Sequence, residues 1–229
     1  MRGSGPAPNL AVPALKEGRA AVRALEAGRQ VVVLRRGGLR ERAFEAQALP
    51  ARFALLPTEF HAAHVRAGES FTGPGPGSPA TVSTGPGEVA LSSYAQLTGA
   101  WAAPPGSARK LFDALAAEDL HIWSDDFYTA RLERAKPGPT SVLELRVYVL
   151  EQPICVPEAS FSGCFSWVDL GPALEPAGAV SLPSLLDAPA SPALGFLDFS
   201  RQQAALRAQL ESVAPCANHI TVCDSDAAS

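Results

Sequence analysis

The strongest chemical feature of the sequence is the run Arg35-Arg36-Gly37-Gly38-Leu39-Arg40. Exposed glycine amides form an anion-binding concavity and flanking guanidiniums grip phosphate bidentately, so the run reads as a site for an anionic partner. Arg29 and Arg42 extend it, and Glu41 is the only acid between them. A bare hairpin would use the same Gly-Gly pair, because a tight turn needs φ > 0 with or without a ligand. His61 and His64, three apart, would share one face of a helix and supply a general base or part of a metal site. A metal asks for three or four ligands. The competing reading makes His61 a hydrogen-bonding residue at a helix start and His64 a surface residue.

Asp125-Asp126 followed by Glu144-Leu145-Arg146 is similar to a nuclease pattern in which two carboxylates hold Mg²⁺ and a lysine helps position water. Here an arginine replaces the lysine and does not readily give up a proton. The two aspartates also complement a helix dipole after Ser124, and Glu144 and Arg146, two apart on a strand, suit an ion pair. Cys216, His219 and Cys223 offer three soft ligands, with Cys155 or Cys164 as a fourth for zinc. Cys164, near Trp167, otherwise reads as a buried core thiol. Trp101, Trp123 and Trp167 lie in apolar contexts that suit core packing better than base stacking. A Walker loop, a dinucleotide fingerprint, a G-x-S-x-G elbow and a zinc-protease helix are all absent from the sequence, so it assigns no cofactor, no metal and no catalytic residue.

The elements that must position these residues follow from pattern. With 47% hydrophobic and 18% charged residues over 229 positions, the chain can build a core. Pro13 to Ala27 spaces Leu15, Gly18, Val22 and Leu25 as one helical face, with Gly28 as C-cap. Val31–Leu34 predicts a strand running into the Gly-Gly hairpin, and Phe53–Leu56 a second strand. Thr58 caps a helix through Val65. Residues 67–87, with Gly73-Pro74-Gly75-Pro76-Gly77, read as a loop. Val89–Trp101 predicts a strand, Ser107 a helix with Leu111, Phe112 and Leu115 inward, and Ser124 a helix to about Arg134. Val142–Leu150 and Phe161–Leu170 predict strands. Residues 171–192 read as a linker, then Leu206, Leu210 and Val213 as an amphipathic helix. The last dozen residues lack periodicity.

This order lacks regular βαβ alternation and predicts an α+β fold. The expectation is a single mixed domain over 10–170 with a short antiparallel-type sheet and several helices. A Pro/Ala-rich C-terminal extension, 171–229, adds the linker, one helix and a disordered tail.

Charge is uneven. Residues 1–70 carry a net +5 and residues 71–229 a net −9, which cancel to −4. That excludes a uniformly basic coat protein. No stretch reaches the ~18 apolar residues of a membrane span, so no membrane partner is expected. The start Met1-Arg2-Gly3-Ser4-Gly5-Pro6 lacks a signal-like apolar segment, and four cysteines suit reduced thiols in the cytoplasm.

Several segments, taken in order, resemble a known family. They are Ala14-Leu15-Lys16-Glu17, Val33-Leu34-Arg35-Arg36-Gly37-Gly38 with Glu41, Leu55-Leu56-Pro57-Thr58 with His61, His121-Ile122-Trp123, Arg131, Leu145-Arg146-Val147-Tyr148, and Gly163-Cys164 with Ser166-Trp167-Val168. Over roughly 13–170 they are similar to the bacterial and archaeal family known as domain of unknown function 1802. The family usually has an aromatic where Gly18 stands and a Tyr-Glu pair where Glu59-Phe60 stands. The resemblance brings no established reaction or catalytic residues. It implies only a loose association with restriction-modification systems, and so an accessory role in DNA processing.

The leading functional expectation is a cytoplasmic module that binds nucleic acid or another polyanion. Arg35 and Arg36, with Gly37 and Gly38, would contact phosphate, and His61, Arg131 and Arg146 would complete the site. One alternative is a metal-dependent phosphodiesterase using Glu17, Asp126 and Glu144. Another is a non-catalytic protein-interaction module built on the Gly/Pro loop and the acidic C-terminal part. The sequence leaves the oligomeric state open.

Overall fold

The computed structural model of the chain describes residues 12–36, 48–59, 64–67, 85–104, 106–133, 139–161, 166–174, 185, 187–214, 218–219 and 221–223. Its backbone is the long antiparallel ladder between β5 (Glu88–Ala103) and β6 (Thr140–Pro157), rich in the apolar and β-branched residues that suit pleated, half-buried surfaces. Register shifts at Leu91/Ser93 and Leu97/Gly99 mark bulges in it. Around this pair lie β1 (Pro13–Gly18), β2 (Val32–Arg36), β4 (Arg52–Thr58) and β7 (Trp167–Asp169), in the order β2-β6-β5-β4-β1-β7. Strand β8 (Ala190–Pro192) adds to β6 and β9 (Asn218–His219) to β5, making eight strands among the described residues. A separate pair joins β3 (Ala48–Pro50) to β10 (Thr221–Cys223).

Strand alternation sorts the core. On β6, Leu143, Leu145 and Val147 pack with Phe53, Leu55 and Leu97 against Val22 and Leu25 of α1 (Arg19–Glu26). On the opposite face, Val142 joins Val32, Leu34 and three helical elements. These are α2 (Ala108–Ala117), α3 (Asp125–Phe127, continuing as a π-helical stretch Tyr128–Glu133) and α4 (Phe196–Val213). A third cluster covers the far end of that same face, where Ala54, Leu56 and Leu150 meet Leu170, Leu174 and Leu185. Between these two covers runs a strip that is only half-buried.

The α+β class holds, and the sheet is longer and more mixed than expected. Strand β1 runs parallel to β4 and antiparallel to β7. The helix expected from Pro13 begins only at Arg19. Ala14 and Leu15 are fully buried between two strand neighbours, and a strand covered on both faces loses the period-two pattern that would distinguish it. Gly18, at φ −57° and ψ 136°, is the strand-to-helix corner. Thr58 ends β4 and donates its hydroxyl to the Glu17 carbonyl, while Val65 bridges to Trp123; residues 60–63 of the helix expected between them lie outside the described residues. Ser107 and Ser124 sit at their helix starts without side-chain capping bonds. Of the strand expected over Phe161–Leu170, the described residues form β7, and Phe161 ends a 3₁₀ turn from Glu158, while residues 162–165 lie outside the described residues. The stretch read as linker contributes a helical turn, Gly171–Leu174, and edge strand β8. Residues 68–84 of the Gly/Pro loop lie outside the described residues, as does most of 171–192 before Asp187. Among the described residues, no helix is long and apolar enough to cross a membrane.

Candidate functional site

Gly37, Gly38 and His61 lie outside the described residues, as do Cys164 and Cys216. Arg35, on β2, is buried. Its Nη2 donates to the Lys16 carbonyl and, at 2.9 Å, to Glu17 Oε2. Glu17 also accepts from the Gly18 amide at 2.9 Å, so the carboxylate is held from two sides. Arg36 donates to the Leu132 carbonyl. Glu17 and Arg131 line a small cleft with Ala21, Val65, Trp123 and Phe127. The structure thus brings Glu17, Arg35, Trp123 and Arg131 to one neighbourhood, although they come from four separated segments. Beside it, fully buried His121 uses Nε2 toward the Phe112 carbonyl and Nδ1 as acceptor for the Trp123 amide. Burial lowers its pKa to about 4, so the ring is neutral near pH 7.

The acidic residues do not assemble. Fully buried Glu144 takes hydrogen bonds from Thr98 Oγ1 at 2.8 Å, Gln203 Nε2 at 2.7 Å, and Arg207 Nε and Nη2 at 2.9 and 2.8 Å. Its ionic partner is therefore Arg207 of α4, and the pairing with Arg146 expected from strand alternation does not form. Asp125 pairs with Arg109 at 2.8 Å, and Asp126 is exposed. Among the described residues, no three His, Cys, Asp or Glu side chains come together as a metal site, so Glu17, Asp126 and Glu144 do not converge.

Arg146 lies elsewhere, on the half-buried strip. In the sheet register Gln96 of β5 has Arg52 of β4 on one side and Arg146 of β6 on the other. Register partners share a face, and strands lie about 4.8 Å apart, so the two arginine Cα atoms are about 10 Å apart across the row. Among the described residues, neither guanidinium forms a salt bridge with a carboxylate, and the buried Arg146 Nε has no hydrogen-bond partner. Among the described arginines, Arg19, Arg23, Arg29, Arg35, Arg66, Arg109, Arg201 and Arg207 meet carboxylates, and Arg35 and Arg36 likewise have a buried Nε without a hydrogen-bond partner. Arg146 lies instead over the rings of Tyr148, 5.8 Å away, and Phe199, 5.4 Å away.

The next row is aromatic. Tyr94 and Tyr148 are register partners whose rings stack at 5.0 Å and 11°. The Tyr148 hydroxyl donates to Gln96 Oε1 at 3.4 Å, tying the two rows together. Burial and Tyr148 raise the Tyr94 pKa, Arg52 opposes this, and Asp187 adds to it, so the phenol is neutral at physiological pH. At the strip's edge α4 begins with Phe196 and Leu197, which are 66% and 76% exposed. These are the exposed large apolar side chains among the described residues, one turn before the Phe199 that covers Arg146.

Arg52, Gln96, Tyr94, Tyr148 and Phe196 were not among the sequence candidates. Tyr94-x-Gln96 and Arg146-x-Tyr148 carry a signal, since each places two large polar-tipped residues on one face of an expected strand. Their meeting depends on register. A family model described as Domain of unknown function (DUF1802) matches residues 14–185. No curated protein and no solved structure matches the chain.

Proposed function

Because the chain belongs to the DUF1802 family and the Arg52–Gln96–Arg146 row lies inside the matched span, we propose that it is a binding module for nucleic acid or another polyanion, with this row as the phosphate grip. The observation that carries the reading is the pair of guanidiniums without carboxylate partners among the described residues, on adjacent-strand positions of one half-buried face. A guanidinium that makes no ion pair keeps donors free for an incoming anionic oxygen, which it can grip bidentately. Gln96 between them supplies an amide donor and acceptor. In this reading the row provides phosphate contacts of the kind expected of Arg35 and Arg36, of which Arg35 Nη2 is held by Glu17 and Lys16 and Arg36 Nη1 by Leu132. A cytoplasmic accessory in DNA processing is the setting this reading implies.

The test is a fluorescence anisotropy titration of labelled oligonucleotide and labelled heparin over a range of salt, comparing the natural chain with Arg52→Ala/Arg146→Ala. The double variant is expected to bind at least about ten-fold more weakly, and its log-affinity slope against log salt flattens by about one to two. Binding that is indifferent to salt, or equal in the two proteins, would remove the proposal.

A further inference from the structure

We infer that the polyanion is a single-stranded nucleic acid, its phosphates on the arginine row and a base stacked on Phe196. The inference rests on the polyanion reading above and adds to it a commitment about what the ligand's apolar part does. Two features of the strip and of the helix at its edge carry it. One is the pair of arginines that meet no carboxylate among the described residues. The other is an exposed aromatic ring with an exposed leucine beside it, at the first turn of α4. Phe199 links them, since its ring lies 5.4 Å from the Arg146 guanidinium and Phe196 is its i−3 neighbour on the helix.

A sulfated or phosphorylated polymer without bases answers the arginines and leaves Phe196 in water. A duplex offers phosphates and keeps its bases paired inward. A single strand alone presents phosphates and free base faces together, the pairing that stacking platforms in charged grooves select. The shape of the strip agrees. Along β6 the side chains on this face are buried at Glu144 and again at Leu150, leaving Arg146 and Tyr148 half-buried between them. At about 3.3 Å per residue, those two positions lie about 7 Å apart along the strand.

Phe196→Ala and Arg52→Ala/Arg146→Ala are each titrated with three probes: a labelled single-stranded oligonucleotide, the same sequence as a duplex, and heparin. Phe196 is mostly exposed, so its loss leaves the fold in place, and Phe196→Tyr keeps the ring as a control. The expected result is a preference for single strand over duplex in the natural protein. Phe196→Ala should weaken oligonucleotide binding roughly ten-fold and leave heparin unchanged, while Phe196→Tyr binds as the natural chain does. The arginine variant weakens both. Equal affinity for duplex and single strand, or oligonucleotide binding untouched by Phe196→Ala, overturns the inference and leaves the polyanion reading standing. If the arginine variant binds every probe as the natural protein does, the reading beneath it falls as well.

Discussion

A buried charge and a buried neutral ring make opposite demands, and the chain contains both. Arg35 and Glu17 are buried together, so removing either leaves the other charged and unpaired, and their substitution acts on folding before it acts on any ligand. His121 is buried without an acidic partner, and burial holds its pKa near 4 against 6.5 for an exposed histidine. As pH falls below 6.5 the unfolded chain takes up the proton first, so stability declines through the window from about 6.5 to about 4 and the loss is complete below it. The gap between those values corresponds to about 3 kcal/mol, of which about 2 is lost by pH 5. Urea unfolding at pH 7 and pH 5 should show that loss in the natural chain, and His121→Gln should show about 2 kcal/mol less change between the two conditions. Identical pH sensitivity in both proteins would mean that His121 is not the titrating group.

At the scale of elements, helix ends carry much of the specification. Helix α1 closes with the Gly28 amide on the Leu25 carbonyl and the Arg29 amide on the Ala24 carbonyl, with Gly28 at φ 67°. Helix α2 closes the same way through Asp119, at φ 57°, whose carboxylate takes both Arg29 and Arg66 at 2.6 Å. A Cβ at Gly28 would lie 2.5 Å from Leu194 Cδ2 and 3.1 Å from the Ala193 carbonyl, in the segment that leads from β8 into α4. Gly28→Ala is therefore expected to cost about 1–2 kcal/mol for the backbone alone, with a further cost from displacing Leu194. Denaturant midpoints measure the first part, and faster amide exchange at Ala193–Phe196 would report the second. Unchanged stability would show that the corner relaxes freely. Gly28 was legible in the sequence because a C-cap glycine announces itself locally, and so were β4, β5, β6 and the inward face of α2, whose patterns are complete within a dozen residues. Strand β1 was not, since Leu15, Gly18, Val22 and Leu25 fall at helical spacing by coincidence across a strand-to-helix corner. The arginine row was illegible for a different reason. Arg52, Gln96 and Arg146 span nearly a hundred positions, and a shift of one residue in either register would send one of them to the opposite face. No local pattern contains that information.

At the scale of the whole molecule, the span that defines the family and the span that closes the core differ. The family match ends at residue 185, yet β8 and α4 follow it. Leu206 and Leu210 of α4 are buried in the cluster with Leu111, Leu115 and Val142, and each such side chain contributes about 1.5–3 kcal/mol by leaving water. Fully buried Glu144 depends on α4 for three of its hydrogen bonds, from Gln203 and Arg207, and an uncompensated buried carboxylate costs about 3–5 kcal/mol. Together these are comparable to the roughly 5–15 kcal/mol by which a whole domain is stable. A chain ending at residue 185 should therefore fail to fold cooperatively, although it contains every residue of the arginine row. The expected signature is a broad thermal transition with strong binding of a hydrophobic dye, against a sharp transition and weak dye binding for the full chain. Glu144→Leu in the truncated chain removes the unpaired carboxylate and should recover part of the lost cooperativity, which separates the charge effect from the loss of apolar cover. A truncated chain that melts sharply within a few degrees of the full-length protein would show that α4 rests on the sheet without closing it. In that case the strip beside Arg146 would be open at both ends, and the contribution of Phe196 to binding would have to come from a helix free to leave it.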